Sequence, residues 1–292
     1  MAKAKENAAA GPRGQSLHIG LNFVDPAHYA GWDGELNACE FDAEDMEALA
    51  KQAGFATSNL IRGAATRAAV VAAIGNAAAV LKGGDIFLIT YSGHGGSIPD
   101  PSGDEPDGKD ETWCLYDGEL IDDELGELWT KFAAGVRVLL ISDSCHSGTI
   151  YKTQGASKLV LTADEVSEDW RATPRAMPLS IAGRTYRQNR EFYDELQRGL
   201  AERGARDVAA QIACTVRLIS GCMDNQYSYD GVANGLFTEE LLRIWANGHF
   251  SGDYALFYQR ILAKMPNEQS PQHNVIGVPN GGYDAQKPFA IA

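Results

Sequence analysis

Two apolar segments of the sequence each end in a residue that can take part in nucleophilic chemistry. The segment "RVLLISDSCHSG" delivers Cys145, and the segment "DIFLITYSGHGG" delivers His94. A thiol becomes a strong nucleophile only as its thiolate, and an imidazole can support that thiolate and later protonate a leaving amine. The two residue types together indicate catalysis by a Cys–His pair.

Both segments have the composition of buried strands, because apolar residues run almost continuously up to the polar ones. In an open α/β sheet, functional groups gather at the carboxyl ends of the strands. If the two strands are neighbours, His94 and Cys145 face one solvent-open groove with carboxylates along its floor. The flanking glycines let backbone N–H groups approach a substrate, so those of Gly95 and Cys145 are candidate donors to an oxyanion. His146 competes for the role of base, but adjacent side chains point in different directions, which favours His94.

Each of these residues also has a purely structural interpretation. A cysteine at a strand end is most often a small buried hydrophobic residue, and a single histidine is usually just hydrogen-bonded. Two matched, glycine-flanked strand ends favour catalysis for Cys145 and His94. The remaining cysteines are widely spaced without a CxxC pair, which fits neither a disulfide scaffold nor a zinc site. We interpret them as buried residues: Cys39, Cys114, Cys214 and Cys222.

The order of strand and helix signals predicts the fold class. Nearly continuous apolar strands alternate with helical segments, which indicates an α/β fold with a mostly parallel central sheet and helices on both faces. We predict a disordered N-terminal tail over residues 1–15 and a single domain over residues 16–292. Within it, residues 150–210 form a long loop or insertion with one helix at 189–203. The other helices are expected within residues 36–55 and at 64–81, 122–133, 235–247 and 253–264.

Charge and hydropathy exclude several classes of partner. The net charge is −14, and the acidic excess is concentrated between Asp100 and Glu124. Nucleic acid is therefore not expected as a partner, since phosphate binding needs clustered Lys and Arg. No apolar run reaches membrane-spanning length, and the N-terminus lacks the apolar stretch of a secretory signal. We expect a cytoplasmic protein that does not bind membranes.

The two strand ends, "YSGHGG" and "DSCHSG", together resemble the caspase-like cysteine peptidases of family C14, in particular the metacaspase and bacterial orthocaspase branch. The resemblance extends to "LNACEFDAEDM" near the N-terminus and to "LISGCMDNQYSYDG" followed by "NGLFTEELL". The Q-A-C-x-G signature of animal caspases is absent. The resemblance covers residues 16–150 and 214–247. It implies the caspase–haemoglobinase fold, a Cys145–His94 dyad and a monomer.

The resemblance also implies peptide and protein substrates with Arg or Lys at P1, the residue before the cleaved bond. The family's acidic P1 pocket falls on Asp42, Ser92 and Asp143, which suit a cation. Both aspartates could instead have a purely structural role, because Asp42 lies in a helix's first turn and Asp143 could cap a turn. Self-processing would need a basic residue in the segment 150–210, where no single candidate stands out. The candidates are Lys152, Lys158, Arg171, Arg175, Arg184 and Arg187.

The chemistry itself needs no cofactor, but calcium is a candidate activator. Many metacaspases are calcium-activated, and Asp122 and Asp123 resemble part of the family's calcium-binding set. Lys152 occupies a position where the family has an acid, which weakens this expectation. The acids at 100–111 lack the alternating spacing of an EF-hand loop, so a solvated acidic loop is the alternative.

Three other functions remain open at the level of sequence. A catalytically silent caspase-like scaffold would bind partners through the same cleft, although the intact dyad argues against it. A legumain- or gingipain-like relative would keep the dyad and change the P1 residue, although specificity for Asn would not need two carboxylates. A calcium-binding regulator without peptidase activity is the third.

Overall fold

The computed structural model describes residues 11–100, 108–145, 173–202, 208–223, 228–231 and 233–292. A six-stranded sheet lies at the centre, and the chain also forms a smaller antiparallel sheet of three strands. The strands are β1 (Gly14–Gly20), β2 (Ala56–Ile61), β3 (Ile86–Ser92), β4 (Gly95–Pro99), β5 (Lys109–Leu115), β6 (Gly118–Ile121), β7 (Arg137–Asp143), β8 (Thr215–Ser220) and β9 (Gln272–Gly277). The smaller sheet consists of β4, β5 and β6. The order in the large sheet is β2-β1-β3-β7-β8-β9, and only β9 runs antiparallel to its neighbour.

Helices cover both faces of the large sheet. They are α1 (Cys39–Gln52), α2 (Arg67–Val80), α3 (Asp122–Thr130), α4 (Leu179–Gln188), α5 (Arg190–Glu202), α6 (Val208–Gln211), α7 (Leu236–Trp245), α8 (Tyr254–Leu262) and α9 (Gly281–Ala285). Side chains of α2 and α3 pack in one apolar cluster, and those of α1, α7 and α8 pack in another. The predicted α/β architecture, mostly parallel with helices on both faces, is confirmed.

Alternation along the central strands explains why both faces are apolar. In β3, Phe87, Ile89 and Tyr91 belong to the cluster with α2 and α3, whereas Ile86 and Leu88 belong to the cluster with α1 and α7. Successive strand side chains point to opposite faces, so a strand covered on both sides must be apolar throughout. All seven residues of β3 and of β7 are buried.

The strands β3, β7 and β8 are parallel neighbours that end level with one another. Ser92, the last residue of β3, pairs with Asp143, the last residue of β7. Ser142 of β7 pairs with Ser220, the last residue of β8. The three segments that follow these strands therefore begin at the same edge of the sheet.

One predicted boundary is wrong. The disordered tail does not extend to residue 15, because β1 begins at Gly14 and pairs with β2 and β3 on both sides. The Arg13 N–H donates to Asp85 Oδ1 at 2.8 Å, which fixes the chain before β1. Residues 1–10 lie outside the described residues. The segment at 85–96, predicted as a buried strand that runs into a glycine-rich turn, forms β3 up to Ser92, after which the chain leaves the large sheet and enters β4.

The segment predicted as a long loop contains an additional helix. Besides α5, which matches the helix expected at 189–203, residues 179–188 form α4. The buried side of α4 consists of Ile181, Ala182 and Thr185. Their spacing is helical, but the surrounding residues are polar and the pattern is short. Residues 150–172 and 203–207 of the predicted loop lie outside the described residues.

The described helices include none that is long and apolar enough to cross a lipid bilayer.

A buried histidine in β1 makes stability depend on pH. His18 is fully buried, with Nδ1 2.9 Å from Thr90 Oγ1 and Nε2 2.9 Å from Ser16 Oγ. Burial lowers its pKa to about 4, below the 6.5 of an exposed histidine. The unfolded chain therefore binds a proton that the folded chain excludes, and this contribution to stability is lost as pH falls from 6.5 towards 4.

We predict that His18→Gln makes the free energy of unfolding less steeply dependent on pH. Between pH 6 and 4.5 the slope should fall by about 1.4 kcal/mol per pH unit, the effect of one proton. Urea denaturation in a Cys145→Ala background measures it, with His249→Gln at an exposed histidine as the control. A slope equal to that of the same protein with His18 would contradict the conclusion that buried His18 excludes a proton.

Candidate active site

The candidate site lies where the segments after β3 and β7 meet. His94 follows β3 by two residues, and Cys145 follows β7 by two residues. The two backbones are in direct contact, since a methyl group added at Gly95 would come within 1.7 Å of the Cys145 carbonyl oxygen. Only glycine permits this approach. The structure thus brings both predicted strand ends to one place.

The environment of His94 fixes its protonation. Its Nε2 lies 3.0 Å from the carbonyl oxygen of Gly34, which can only accept a hydrogen bond. Nε2 is therefore the protonated nitrogen, and Nδ1 carries the lone pair and has no hydrogen-bond partner within the described residues. The pKa of His94 is lowered to about 4, mainly by burial and also by the nearby Arg175, while the hydrogen bond to the Gly34 carbonyl opposes the shift. The imidazole is neutral at physiological pH, with Nδ1 able to accept a proton.

Cys145 contacts the backbone of the segment that follows β8. The Ser228 N–H donates to Sγ at 3.1 Å, and Sγ lies 3.6 Å from the Ser228 carbonyl oxygen. Cys145 is 0% exposed and His94 is 4% exposed. The expectation of a solvent-open groove is therefore wrong, because the chain's own residues cover the two side chains. His146, the competing base, lies outside the described residues.

The covering segment is residues 173–177, which runs through the cleft in an extended conformation. Its N-terminal part pairs with residues 228–230, because the Arg175 N–H donates to Ser228 O at 2.8 Å and the Asp230 N–H donates to Thr173 O at 3.0 Å. Its C-terminal part pairs with β4, where the Met177 N–H donates to Gly95 O at 2.8 Å. The segment is held as an added strand on both sides.

The carbonyl group of Arg175 faces the two candidate oxyanion donors. Its oxygen accepts hydrogen bonds from the N–H of Gly95 at 2.9 Å and from the N–H of Cys145 at 3.1 Å. These distances are those expected of an oxyanion hole. A peptide carbonyl of the chain itself thus occupies the position expected for the carbonyl of a scissile bond.

The side chain of Arg175 enters a buried cage of oxygen atoms. One guanidinium nitrogen lies 2.7 Å from Asp42 Oδ2 and 3.0 Å from Asp230 Oδ1. The other lies 2.9 Å from Asp143 Oδ2 and 2.8 Å from Ser92 Oγ. Arg175 is 0% exposed. The structure therefore brings together the three residues predicted for the P1 pocket, and it adds Asp230.

The cage is held in place by donors other than the arginine. Asp42 Oδ1 accepts from the Gly235 N–H at 3.0 Å, and Asp230 Oδ2 accepts from the Asn37 N–H at 2.7 Å. Asp143 Oδ2 accepts from Thr238 Oγ1 at 2.7 Å, and Asp143 Oδ1 accepts from Ser228 Oγ. A carboxylate with several fixed donors keeps its position when its cationic partner leaves. The pocket is thus preorganised.

Electrostatics make the cage selective for a cation. Three carboxylates face a single guanidinium, so the buried group retains an excess of negative charge. Burial raises the pKa of Asp42 and the neighbouring Asp143 raises it further, while the Arg175 guanidinium opposes the shift. An acidic or neutral side chain would leave these carboxylates without a partner.

Sequence reasoning missed Asp230 and the importance of Arg175. Asp230 and Ser228 follow β8, so the rule that functional groups gather at strand ends could have identified them. Arg175 carries no such signal, because in the sequence it lies far from the ends of β7 and β8. It also resembles the other basic residues of its segment. Arg184 and Arg187 are exposed, and Lys152, Lys158 and Arg171 lie outside the described residues.

The proposed calcium residues Asp122 and Asp123 open α3, where the Asp123 N–H donates to Asp122 Oδ1 at 2.9 Å. Calcium takes six to eight oxygen ligands, which two adjacent carboxylates do not provide. No group of three or more acidic, cysteine or histidine side chains suited to a metal occurs in the part of the chain that the structure describes. Calcium activation stays a prediction.

Comparison with known proteins identifies the family. The caspase domain model of the C14 peptidases matches residues 23–280. The chain belongs to the caspase domain family. The strand-end motifs predicted a caspase-like C14 peptidase of the metacaspase branch. This prediction is confirmed, because the curated relatives are metacaspases.

Two fungal relatives illustrate the similarity. Metacaspase-1 of Coccidioides immitis is 29% identical over 248 residues, which cover 78% of this chain and 52% of that protein. Metacaspase-1 of Saccharomyces cerevisiae is 28% identical over 248 residues, covering 76% of this chain and 56% of that protein. The chain spans little more than half the length of these relatives.

Two crystal structures are similar to the chain. Protein GSU0716 from Geobacter sulfurreducens is 51% identical, with a TM-score of 0.81 over 96% of this chain and 100% of that one. Caspase-1 from Spodoptera frugiperda is 12% identical, with a TM-score of 0.52 over 95% of each chain. The second similarity confirms the predicted caspase–haemoglobinase fold.

We predict that Gly235→Ala expels Arg175 from the cage. Gly235 has φ −63° and ψ 150°, which alanine adopts without strain, but the added methyl group would lie 2.6 Å from three guanidinium atoms. The measurement is the rate of trypsin cleavage after Arg175, monitored by mass spectrometry in a Cys145→Ala background. Gly235→Ala should raise this rate about tenfold or more relative to the same background with Gly235.

The matched control is Gly75→Ala, because a methyl group at Gly75 meets no atom within 4 Å. It should leave Arg175 protected. Equal trypsin rates for Gly235→Ala and Gly75→Ala would show that Arg175 is not held by the cage.

Proposed function

We propose that the chain is a cysteine endopeptidase that cleaves after Arg or Lys and processes itself at the Arg175–Ala176 bond. One observation carries the proposal. The guanidinium of Arg175 lies in the acidic cage while its carbonyl oxygen accepts hydrogen bonds from Gly95 and Cys145. The chain's own residues are thus arranged as a substrate would be.

Each residue has a distinct role in this mechanism. Cys145 Sγ attacks the P1 carbonyl carbon, and the N–H groups of Gly95 and Cys145 stabilise the oxyanion that forms. His94 is neutral and has a free Nδ1, so it accepts the thiol proton and delivers it to the leaving amine. Water then hydrolyses the thioester. The Ser228 N–H donates a hydrogen bond to the sulfur at 3.1 Å and holds it in place.

The P1 preference follows from the cage. Asp42, Ser92 and Asp143 hold the guanidinium through charge-assisted hydrogen bonds, and Asp230 adds a third carboxylate. Arginine can contact carboxylates with both terminal nitrogens, whereas the lysine ammonium is a single point of charge. We therefore expect Arg to be preferred over Lys. Peptides and proteins with a basic P1 residue are the proposed substrates.

The proposal keeps the remaining expectations from the sequence. The protein is proposed to act as a cytoplasmic monomer. Calcium takes part in no step of this mechanism. A calcium-activated form would require ligands beyond Asp122 and Asp123, because two adjacent carboxylates supply too few oxygen atoms for the ion.

The test compares wild type with Cys145→Ala during incubation at neutral pH. Wild type should produce a fragment that begins at Ala176 and should hydrolyse fluorogenic peptides with P1 Arg, then Lys, but not Asp. Asp143→Asn should lower kcat/KM for the Arg peptide about 10- to 100-fold, the effect of a lost charge-assisted hydrogen bond.

Two matched variants separate self-processing from general activity. Arg175→Gln should remove the fragment that begins at Ala176 while the Arg peptide is still hydrolysed, and Arg184→Gln should remove neither. Cleavage after Asp, or undiminished turnover in Cys145→Ala, would contradict the proposal. Failure of an Arg-directed thiol probe to label Cys145 would favour the silent scaffold.

A further inference from the structure

We infer that the Arg175–Ala176 cut is reversible in place, and that the cut enzyme transfers acyl groups to the α-amine of its own Ala176. The inference rests on the proposed function and adds an activity to it, peptide-bond formation. Its basis is the way in which the structure holds the residues after the scissile bond.

The residue nearest to the new amine is firmly bound. Met177 is 4% exposed and packs with Val24, Tyr29 and Cys114 in one apolar cluster. Its N–H donates to Gly95 O at 2.8 Å, and Ala176 forms a parallel bridge with Gly95. One residue separates the Ala176 nitrogen from an anchored side chain. This nitrogen cannot move far when the bond before it breaks.

The two helices after Met177 are part of the folded body. The Tyr193 hydroxyl of α5 accepts a hydrogen bond from the Glu119 N–H at 3.1 Å and lies 2.7 Å from His28 Nε2. Gln197 Nε2 donates to Asp110 Oδ2 at 2.8 Å and to Pro99 O at 2.7 Å. None of these contacts depends on the bond between Arg175 and Ala176. Cleavage therefore leaves the downstream segment in place.

The chemistry then offers two nucleophiles to the same thioester. Cys145 Sγ forms a bond to the Arg175 carbonyl carbon, and the bond to the Ala176 nitrogen breaks as His94 protonates that nitrogen. Water can attack the thioester to give the Arg175 carboxylate and the thiol. Alternatively, the Ala176 amine attacks, His94 accepts a proton from it, the peptide bond re-forms and the thiol is released. No further reactant is required.

Position favours the amine over water. A nucleophile held next to its target reacts at an effective concentration far above that of free solutes. The side of the cleft next to Ala176 is lined by Trp32, whose ring lies 4.7 Å from that of His94. Ala176 and His94 line the same part of the cleft, so the amine lies near the base that accepts its proton.

The same geometry allows a foreign acyl donor. When the residues up to Arg175 leave the cage, a peptide with P1 Arg can acylate Cys145 and release its own leaving group. The Ala176 amine is still docked and captures the acyl group. The product is a foreign peptide joined to Ala176, so the acceptor is built into the enzyme.

The test uses self-cut wild type and the donor fluorescein-Thr-Pro-Arg-aminomethylcoumarin, whose leaving group is a poor acceptor. Coumarin release reports acylation, and mass spectrometry detects fluorescein-Thr-Pro-Arg on the fragment that begins at Ala176. We expect this labelled fragment to accumulate. The ratio of label to coumarin should rise as pH increases to about 8, where an α-amine loses its proton.

A variant that loosens the anchor provides the second readout. Met177→Asp should lower the ratio of label to coumarin about tenfold, because the amine is no longer held beside the thioester. Val275→Asp, an exposed apolar position on β9, is the matched control and should keep the wild-type ratio.

The outcomes separate this inference from the proposed function. Coumarin release and self-cleavage without labelled fragment would overturn the inference and leave the peptidase proposal intact. Coumarin release without a cut at Arg175 would also overturn it, because the acceptor amine never forms. Absence of both coumarin release and self-cleavage would overturn the proposed function itself.

Discussion

The burial of one guanidinium among three carboxylates is the interaction on which the site depends. Arg175 is completely buried, and its positive charge is tolerated there only because Asp42, Asp143 and Asp230 surround it. Removing one partner from a buried ion pair typically costs about 3–5 kcal/mol, since the other charge stays desolvated. The cage therefore holds a cation strongly, and in this structure the cation belongs to the chain.

The sheet explains why four groups from distant parts of the sequence converge. Ser92 and Asp143 are paired residues at the level ends of β3 and β7, and Asp230 follows β8. Asp42 comes from α1, which packs on the face next to these strands. Each carboxylate has its own hydrogen-bond donors, so the pocket is part of the fold and does not require its occupant. The proposed recognition of a basic P1 residue thus depends on residues that also belong to the ends of the central strands.

Occupancy of the cleft by residues 173–177 connects the proposed P1 specificity with access to Cys145. The same contacts that present Arg175 to Cys145 also exclude other peptides from the site. Among the described residues, the contacts after Ala176 include two packed helices, and those before Arg175 include the pairing of residues 173–175 with residues 228–230.

Much of the fold and part of the site could be predicted from the sequence. The strands before His94 and Cys145 were identifiable because a strand buried on both faces is apolar throughout, and the acids beside them followed from the family resemblance. Docking of Arg175 could not be predicted, because it depends on tertiary contacts with no local pattern. The helix α4 was missed for a similar reason, since its few buried residues stand among polar ones.

The most direct test of the account is the rate at which a peptidyl-arginine chloromethyl ketone alkylates Cys145 in the uncut chain. Intact-mass spectrometry separates the uncut chain from its fragments. If Arg175 occupies the acidic cage, Arg175→Ala should be alkylated about tenfold faster or more, since a tethered competitor has been removed. Arg184→Ala, a substitution at an exposed position of α4, should react like the wild type. Equal alkylation rates at Cys145 in wild type and Arg175→Ala would contradict the account.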